Sequence, residues 1–285
     1  MSKFLEDFRE YLKDLPFHIY TLTEYKDEKI EVLEDIPANP AQNTYSVSKL
    51  YTAAAIGMLW DEGKITVNEK ICDILRDEIT YDIPNKRWYD VTVEMLLTHR
   101  AGLPGGYLDI DTTDANTFGN DYVKHCLTCQ LEFTPGEGEK YSDGAYYLLS
   151  VIVEKKSGKP TSEFLWNKLF FPAGYKEVAW ANCPKGHSIG ATGLYIRGED
   201  MVKLGAIYAN DGVYDGKRYL SSDWVRLSLE NGYGIDHSED RRIYYKGGMC
   251  GQKLIAVPDC GRAVALQSYG ANSDTVAEFV RTCED

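Results

Sequence analysis

The chain has 285 residues, enough for one large domain or for two interleaved subdomains around a sizeable core. Apolar residues make up 44% of it and charged residues 26%, which is the balance of an ordinary globular protein. The formal net charge of −13 argues against nucleic acid or an anionic membrane as a partner, and no apolar run is long enough to span a membrane.

The N-terminal segment 1–15 predicts an amphipathic helix, because its apolar residues recur at helical spacing. It lacks the continuous apolar core and the small-residue cleavage site of a signal peptide. If the chain is complete, we therefore expect a cytoplasmic protein. The seven cysteines are odd in number and scattered, which agrees with a reducing compartment.

The remaining elements follow from apolar periodicity and turn residues. Strand patterns at 17–24 and 29–33 predict a hairpin. Helices are predicted from Ser46 to Gly63 and over 91–98, 143–156, 161–171 and 200–210. Towards the C-terminus the apolar residues recur at every second position, which predicts strands over 242–246, 252–257 and 262–268. A last helix is predicted over 273–283.

This order places strands at both chain ends and helices between them. It predicts an α+β fold, in which an antiparallel sheet is built from both chain ends, with flanking helices and an inserted helical subdomain. Within a single domain spanning 1–285, we expect the sheet subdomain at about 1–45 plus 190–285. The helical subdomain would occupy about 46–189.

The start of the helix predicted at Ser46 carries the run Ser46-Val47-Ser48-Lys49. Ser46 and Lys49 are three residues apart, so their side chains lie on one helix face about one turn apart. A serine hydroxyl needs a base to take its proton, and a lysine whose pKa is lowered by burial can be that base. Alone, the spacing also fits a helix cap followed by a solvated lysine.

Five further segments accompany this run in a fixed order along the chain. They are Leu96-Leu97-Thr98-His99-Arg100-Ala101-Gly102-Leu103-Pro104, Tyr141-Ser142-Asp143, Phe171-Pro172-Ala173-Gly174-Tyr175, Gly190-Ala191-Thr192-Gly193-Leu194-Tyr195 with Asp200, and Lys246-Gly247-Gly248. The whole set resembles the serine β-lactamase and penicillin-binding protein superfamily, particularly its class C-like and esterase branch. The resemblance implies a β-lactamase/DD-peptidase-like fold and a serine hydrolase that forms a covalent acyl-enzyme. Its small-molecule substrates would be esters, amides or β-lactam-like acyl compounds, and neither cofactor nor metal is expected.

The resemblance also assigns roles to particular residues. Ser46 would be the nucleophile, while Lys49 and Tyr141 would transfer protons, the pKa of Tyr141 being lowered by nearby lysines. The N–H groups of Ser46 and Met249 would form the oxyanion hole. The substrate would be bound by Asp143, Lys246, Gly247, Gly248 and Met249.

Two positions depart from the family pattern. Asp143 replaces an Asn, and a carboxylate cannot donate a hydrogen bond and favours a protonated Lys49. Gly247 replaces a Thr or Ser and so removes a hydroxyl donor. Both changes fit poorly with efficient β-lactam hydrolysis, and they keep open a weakly active or non-catalytic ligand-binding member. A true β-lactamase or D-Ala-D-Ala carboxypeptidase is the other alternative. Oligomeric state is not indicated by the sequence.

Three other motifs are weaker candidates for a functional site. Ser188 lies in a formal G-x-S-x-G, but the strand before it and the helix after it are missing. His99 is expected to close the turn at 98–104 rather than to act as a base. Cys126 and Cys129 form a lone C-x-x-C, which indicates structural thiols more than a metal site.

Aspartates in the segment 105–120 would border the cleft of such a fold. They are Asp109, Asp111 and Asp114. Together with Asp143 they predict a negative cleft mouth that favours substrates with a free amine.

Overall fold

The structure is a computed structural model that describes residues 1–283, and its centre is a six-stranded antiparallel sheet. The strands of the protein are β1 (Thr21–Lys26), β2 (Lys29–Glu34), β3 (Ala41–Asn43), β4 (Val178–Trp180), β5 (Leu194–Arg197), β6 (Val213–Tyr214), β7 (Lys217–Arg218), β8 (Asp236–His237), β9 (Tyr244–Gly247), β10 (Lys253–Val257) and β11 (Arg262–Gln267). The order in the large sheet is β2-β1-β11-β10-β9-β8, while β3-β5-β4 and β6-β7 form two small sheets. Because β1 pairs with β11, the sheet joins both chain ends, which confirms the α+β prediction.

Ten α-helices surround the sheets in the described part of the chain. They are α1 (Lys3–Leu12), α2 (Ser48–Asp61), α3 (Ile71–Ile74), α4 (Val93–Leu97), α5 (Tyr122–Leu127), α6 (Asp143–Ser157), α7 (Thr161–Leu165), α8 (Gly198–Ala209), α9 (Ser222–Asn231) and α10 (Ser273–Thr282). The helix predicted from Ser46 in fact begins at Ser48, after a 3₁₀ turn over Tyr45–Val47. The helix predicted over 161–171 changes to a π-helical turn at Trp166–Phe170.

The two faces of the large sheet carry different helices. On one face, α1 and α10 pack together over residues such as Val264 and Leu266, with the Phe8 and Phe279 rings 5.1 Å apart. On the other face, α8 covers the alternate residues Ala263 and Ala265. This alternation is the period of two that marks the strands in the sequence.

Helix α2 runs through the centre of the molecule, and every residue from Ser48 to Leu59 is buried. It packs against α6, α7 and α9. Small side chains make this close packing possible, since the Trp224 ring lies directly over Gly57. The helix that follows Ser46 is therefore held by contacts on all sides.

Among residues 1–283, no helix combines the length and the apolar character needed to cross a membrane.

Substituting Gly57→Ala should destabilise the protein. A Cβ at this position would lie 2.2 Å from Nε1 of the fully buried Trp224, so the ring would have to move. We expect a loss of about 1–3 kcal/mol in the free energy of unfolding, measured by urea denaturation. Gly105→Ala is the matched control, since its Cβ would meet only Lys140 Cδ at 3.9 Å. Equal stability of the two variants would contradict the packing argument.

Candidate active site

Ser46 lies half-buried in the 3₁₀ turn before α2, at the floor of an open cleft of about 440 Å³. The cleft is lined by Ser46, Asp109, Asp111, Tyr141, Asp143, Asp236, Tyr245, Lys246, Gly247, Gly248, Met249, Lys253, Ser273 and Asp274. Of the residues that the sequence assigns to the site, only Lys49 is absent from this lining. It lies directly beneath the floor.

Lys49 is the second residue of α2; it is completely buried and contacts three oxygen atoms. Its Nζ is 3.0 Å from Ser46 Oγ, 3.0 Å from the Ala191 carbonyl and 2.7 Å from Asp143 Oδ1. Burial lowers the pKa of Lys49 below its ordinary value, while the Asp143 carboxylate opposes that shift. The ammonium donates to Ser46 Oγ, and once neutral the amine can accept the serine proton.

Tyr141 stands between the two lysines of the site. Its ring centroid is 4.7 Å from Lys49 Nζ and 5.1 Å from Lys246 Nζ. Partial burial nevertheless raises the pKa of the Tyr141 phenol, outweighing the lowering by Lys246 and by its hydrogen bond with Ser46. Lys246 therefore acts in the expected direction, but the net shift of this pKa is upward because burial disfavours the phenolate more strongly. Tyr141 is a neutral phenol that can donate a proton.

His99 fixes the segment that carries Tyr141. Its Nδ1 accepts a hydrogen bond from the Ser142 N–H at 3.2 Å, and its carbonyl accepts one from the Lys140 N–H at 3.0 Å. The residues on both sides of Tyr141 are thus bound to His99, whose ring lies 4.5 Å from the Tyr141 ring. Burial, with Lys246 and Lys49 nearby, lowers the pKa of His99 to about 3, so the imidazole is neutral at neutral pH.

The opposite wall of the cleft is the end of β9. Lys246 is buried, and its Nζ is 3.3 Å from Asp236 Oδ2 on β8. At Gly248 a Cβ would lie 2.7 Å from the Thr44 carbonyl, so only glycine lets β9 approach the Ser46 turn this closely. Met249 follows at the cleft rim and is 54% exposed.

Acidic residues occupy the side of the cleft next to Lys49. In the described chain, one group of carboxylates is compact enough to hold a metal ion: the ligand atoms of Asp109, Asp111 and Asp143 lie within 4.8 Å of one another. Lys49 already contacts Asp143, so a cation there would lie beside an ammonium. Burial, together with Asp143 and Asp109, raises the pKa of Asp111.

Asp114 does not belong to this acidic group. Its side chain caps the 3₁₀ turn Ala115–Phe118 by accepting from the Asn116 N–H, and it does not line the cleft. The sequence could not separate it from Asp109 and Asp111, because all three lie in one irregular segment. The acidic side next to Lys49 is therefore made by Asp109, Asp111 and Asp143, while Asp236 and Asp274 also line the cleft.

The competing motifs lie inside the protein rather than in the cleft. Ser188 is 1% exposed, and its Oγ accepts a hydrogen bond from the Ser162 N–H at 3.2 Å. A carbonyl substrate cannot reach a hydroxyl so placed, which excludes Ser188 as a nucleophile in this structure. Cys126 and Cys129 are buried as free thiols, and burial raises the pKa of both.

Residues 38–280 match the family model Beta-lactamase, which is most of the chain. The chain belongs to the Beta-lactamase family. This membership confirms the resemblance that the ordered motifs indicate.

Relatives of known sequence and structure agree with this family. Penicillin-binding protein 4* of Bacillus subtilis (strain 168) is 32% identical over 138 residues, which are 47% of this chain and 29% of that protein. The chain thus spans less than a third of that relative's length. A penicillin-binding protein homologue from Caulobacter crescentus has a TM-score of 0.76 at 17% identity, covering 95% of this chain and 93% of that one.

A family VIII carboxylesterase is similar in structure as well. Its TM-score is 0.75 at 17% identity, covering 99% of this chain and 97% of that one. The family is therefore Beta-lactamase, and the fold is shared with the penicillin-binding protein homologue and the carboxylesterase.

Replacing Asp143 should change how activity depends on pH. Lys49 must be neutral to accept the Ser46 proton, so kcat/KM should rise with pH through the Lys49 pKa. Asp143→Asn removes a carboxylate that stabilises the ammonium, which lowers this pKa. We expect the rising limb to move to lower pH, and acylation by penicillin to become about ten- to a hundredfold faster.

The measurement is the hydrolysis of a p-nitrophenyl ester over a range of pH, with penicillin acylation followed separately. Asp7→Asn is the control, since Asp7 pairs with Lys3 on α1, outside the cleft lining. An unmoved limb, or one moved to higher pH, would show that Asp143 does not set the charge state of Lys49.

Proposed function

We propose that this protein is a serine acyl hydrolase that works through a covalent acyl-enzyme formed on Ser46. The observation that carries the proposal is the 3.0 Å contact between Ser46 Oγ and the Nζ of a completely buried lysine. A hydroxyl at the cleft floor, beside an amine whose pKa is lowered by burial, is the arrangement of an activated nucleophile.

The reaction would proceed in two halves. Neutral Lys49 takes the Ser46 proton as Oγ bonds to the substrate carbonyl carbon, and the N–H groups of Ser46 and Met249 stabilise the oxyanion. The carbon–leaving-group bond then breaks, and Tyr141 gives its proton to the leaving group while the Lys49 ammonium re-protonates the phenolate. In the second half, water attacks the acyl-enzyme, releases the acid and restores the Ser46 hydroxyl.

Small esters and amides are the substrates that this site supports best, with β-lactams as slow acylating agents. Asp143 and Gly247 both lack the hydrogen-bond donor that the family pattern places there. These departures weigh against a true β-lactamase or D-Ala-D-Ala carboxypeptidase. A cytoplasmic location and the lack of nucleic-acid and membrane partners stay predictions from the sequence.

A weakly active, ligand-binding protein is the second candidate. It is favoured by one contact, the 2.7 Å pair between Lys49 Nζ and Asp143 Oδ1, because a carboxylate this close stabilises the ammonium. Measured turnover of p-nitrophenyl esters distinguishes this ligand-binding candidate from the proposed serine acyl hydrolase.

Covalent labelling tests the identity of the nucleophile. A fluorophosphonate should label the wild-type protein on the peptide that contains Ser46, and Ser46→Ala should lose both the label and the hydrolysis of p-nitrophenyl esters. Ser188→Ala is the matched control and should keep both. Label on the Ser188 peptide would refute the assignment, and a folded protein with neither label nor turnover would support the ligand-binding candidate.

The acidic side of the cleft predicts a preference for substrates with a free amine near the scissile carbonyl. Opposite charges near a protein surface gain a few kcal/mol at most, so we expect about a tenfold preference in kcat/KM for an aminoacyl ester over its N-acetyl form at low salt. The preference should shrink at high salt and in Asp111→Asn. Equal values at low salt, or a preference that salt does not change, would rule out electrostatic recognition.

A further inference from the structure

We propose that Asp109, Asp111 and Asp143 bind a divalent cation of calcium size at the side of the cleft, with the Thr192 hydroxyl as a fourth oxygen ligand. The inference goes beyond the proposed hydrolase function, which needs no metal, and it departs from the expectation of a metal-free site. It is carried by the spacing of the three carboxylates, by their excess of negative charge and by the buried hydroxyl of Thr192.

The three carboxylates come from two separate parts of the chain. Asp109 and Asp111 lie in the segment between α4 and α5, whereas Asp143 is the first residue of α6. Asp109 Oδ1 accepts hydrogen bonds from the N–H groups of Asp111 and Thr112 at 3.0 and 3.2 Å, which fix its side chain in this turn. The fold thus brings the three ligand atoms within 4.8 Å of one another.

This spacing favours calcium among the common divalent cations. Calcium lies about 2.3–2.6 Å from its oxygen ligands, so oxygens on opposite sides of one ion are up to about 5.2 Å apart. Magnesium binds at about 2.0–2.1 Å, which limits the same separation to about 4.2 Å, and it demands a near-ideal octahedron. The 4.8 Å limit lies within the range of calcium, whose flexible coordination also suits ligands from an irregular loop.

The carboxylates carry more negative charge than their neighbouring lysine balances. Lys49 supplies one positive charge, with its Nζ 2.7 Å from Asp143 Oδ1. One ammonium among three carboxylates leaves an excess of two negative charges, which is the charge that a divalent cation supplies. A carboxylate has two oxygens, so Asp143 can bind the cation through Oδ2 while Oδ1 stays on Lys49.

A buried hydroxyl without a partner is directed at the same group. Thr192 is completely buried, and its Oγ1 has no hydrogen-bond partner among residues 1–283. It faces the Asp111 carboxylate, close enough to interact with it but outside hydrogen-bond geometry. An unpaired hydroxyl is costly to bury, and a cation held between Asp111 and Thr192 would give this oxygen a partner.

The group is open to solvent on one side, as the entry of an ion requires. Asp143 is buried and Asp109 is half-buried, whereas Asp111 is exposed at the cleft. A bound cation would join the 109–111 turn to α6 and to the segment before β5. It would also neutralise this side of the cleft, so the preference for a substrate amine is predicted for the calcium-free protein.

Terbium luminescence tests the site in the full-length protein after treatment with EDTA. Terbium(III) replaces calcium at oxygen ligands and emits when a nearby tryptophan is excited. Trp180 is well placed for this, since its Nε1 donates to the Thr192 carbonyl at 3.0 Å. Because the chain has a net charge of −13, cations also collect diffusely around it, and about 0.1 M KCl suppresses that background.

Calcium should displace the bound terbium with a single affinity, a Kd of about 0.1–1 mM, and magnesium should compete at least about tenfold more weakly. Asp111→Asn should weaken calcium binding at least about tenfold, and Thr192→Val about threefold because it removes a neutral ligand. Asp114→Asn is the matched control from the same segment. It should change the affinity less than about twofold, since an asparagine also caps the Ala115–Phe118 turn.

Trp180→Phe should lower the terbium emission while the affinity for calcium stays the same. No displaceable terbium, equal calcium affinity in wild type, Asp111→Asn and Thr192→Val, or unchanged emission in Trp180→Phe would each overturn the inference. Should Asp111→Asn fail to fold by circular dichroism, Asp109→Asn takes its place, because its side-chain oxygen can still accept the two turn hydrogen bonds.

Ser46→Ala separates this result from the proposed hydrolase function. The variant should bind calcium with wild-type affinity, because the hydroxyl of Ser46 is not among the proposed ligands. Calcium binding that survives in Ser46→Ala supports the site even where no ester is hydrolysed. Loss of binding in Ser46→Ala would place the cation elsewhere in the cleft and overturn the inference.

Discussion

The buried ammonium of Lys49 is the constraint on which the rest of the site depends. A charged group without solvent must be surrounded by oxygen atoms, and Ser46, Asp143 and the Ala191 carbonyl provide them from three separate parts of the chain. The three contacts hold these parts of the chain together beneath the cleft floor. The same burial lowers the pKa of Lys49, so the feature that organises the site also suits Lys49 to the proposed role of base.

The surrounding fold is arranged so that these three contacts can form. Gly190 has a φ of 72°, and a Cβ there would lie 2.6 Å from the Tyr146 carbonyl on α6. Glycine alone allows this approach, which brings the following Ala191 carbonyl onto Lys49. Thr52 of α2 also donates to the Gly190 carbonyl at 2.8 Å, so α2, α6 and the 190–191 segment hold one another in place.

Long, periodic elements and the order of short motifs could be predicted from the sequence, because both are local. The ends of α6 and α10 agree with the predictions to within one residue, while α1 is shorter than predicted by two residues at its start and three at its end. The strands β3, β4 and β5 were missed because elements of three or four residues show no period, while α9 was missed although Ser221 and Gly232 cap it. The raised pKa of Tyr141 depends on burial by distant residues, and the contact of Lys253 with the cleft depends on strand register. Neither is visible in the order of residues along the chain.

The pairing of β1 with β11 has a consequence for how the protein is made. On the ribosome, the β1–β2 hairpin emerges before its neighbouring strand β11, because Thr21 and its partner Gln267 are 246 residues apart in the chain. Contacts between residues so distant in sequence form slowly, because a long loop has to close. Until then Lys49 has its helix but lacks the cleft wall that β9 supplies. A chain that ends before β9 therefore lacks the cleft wall that carries Lys246 and Gly248.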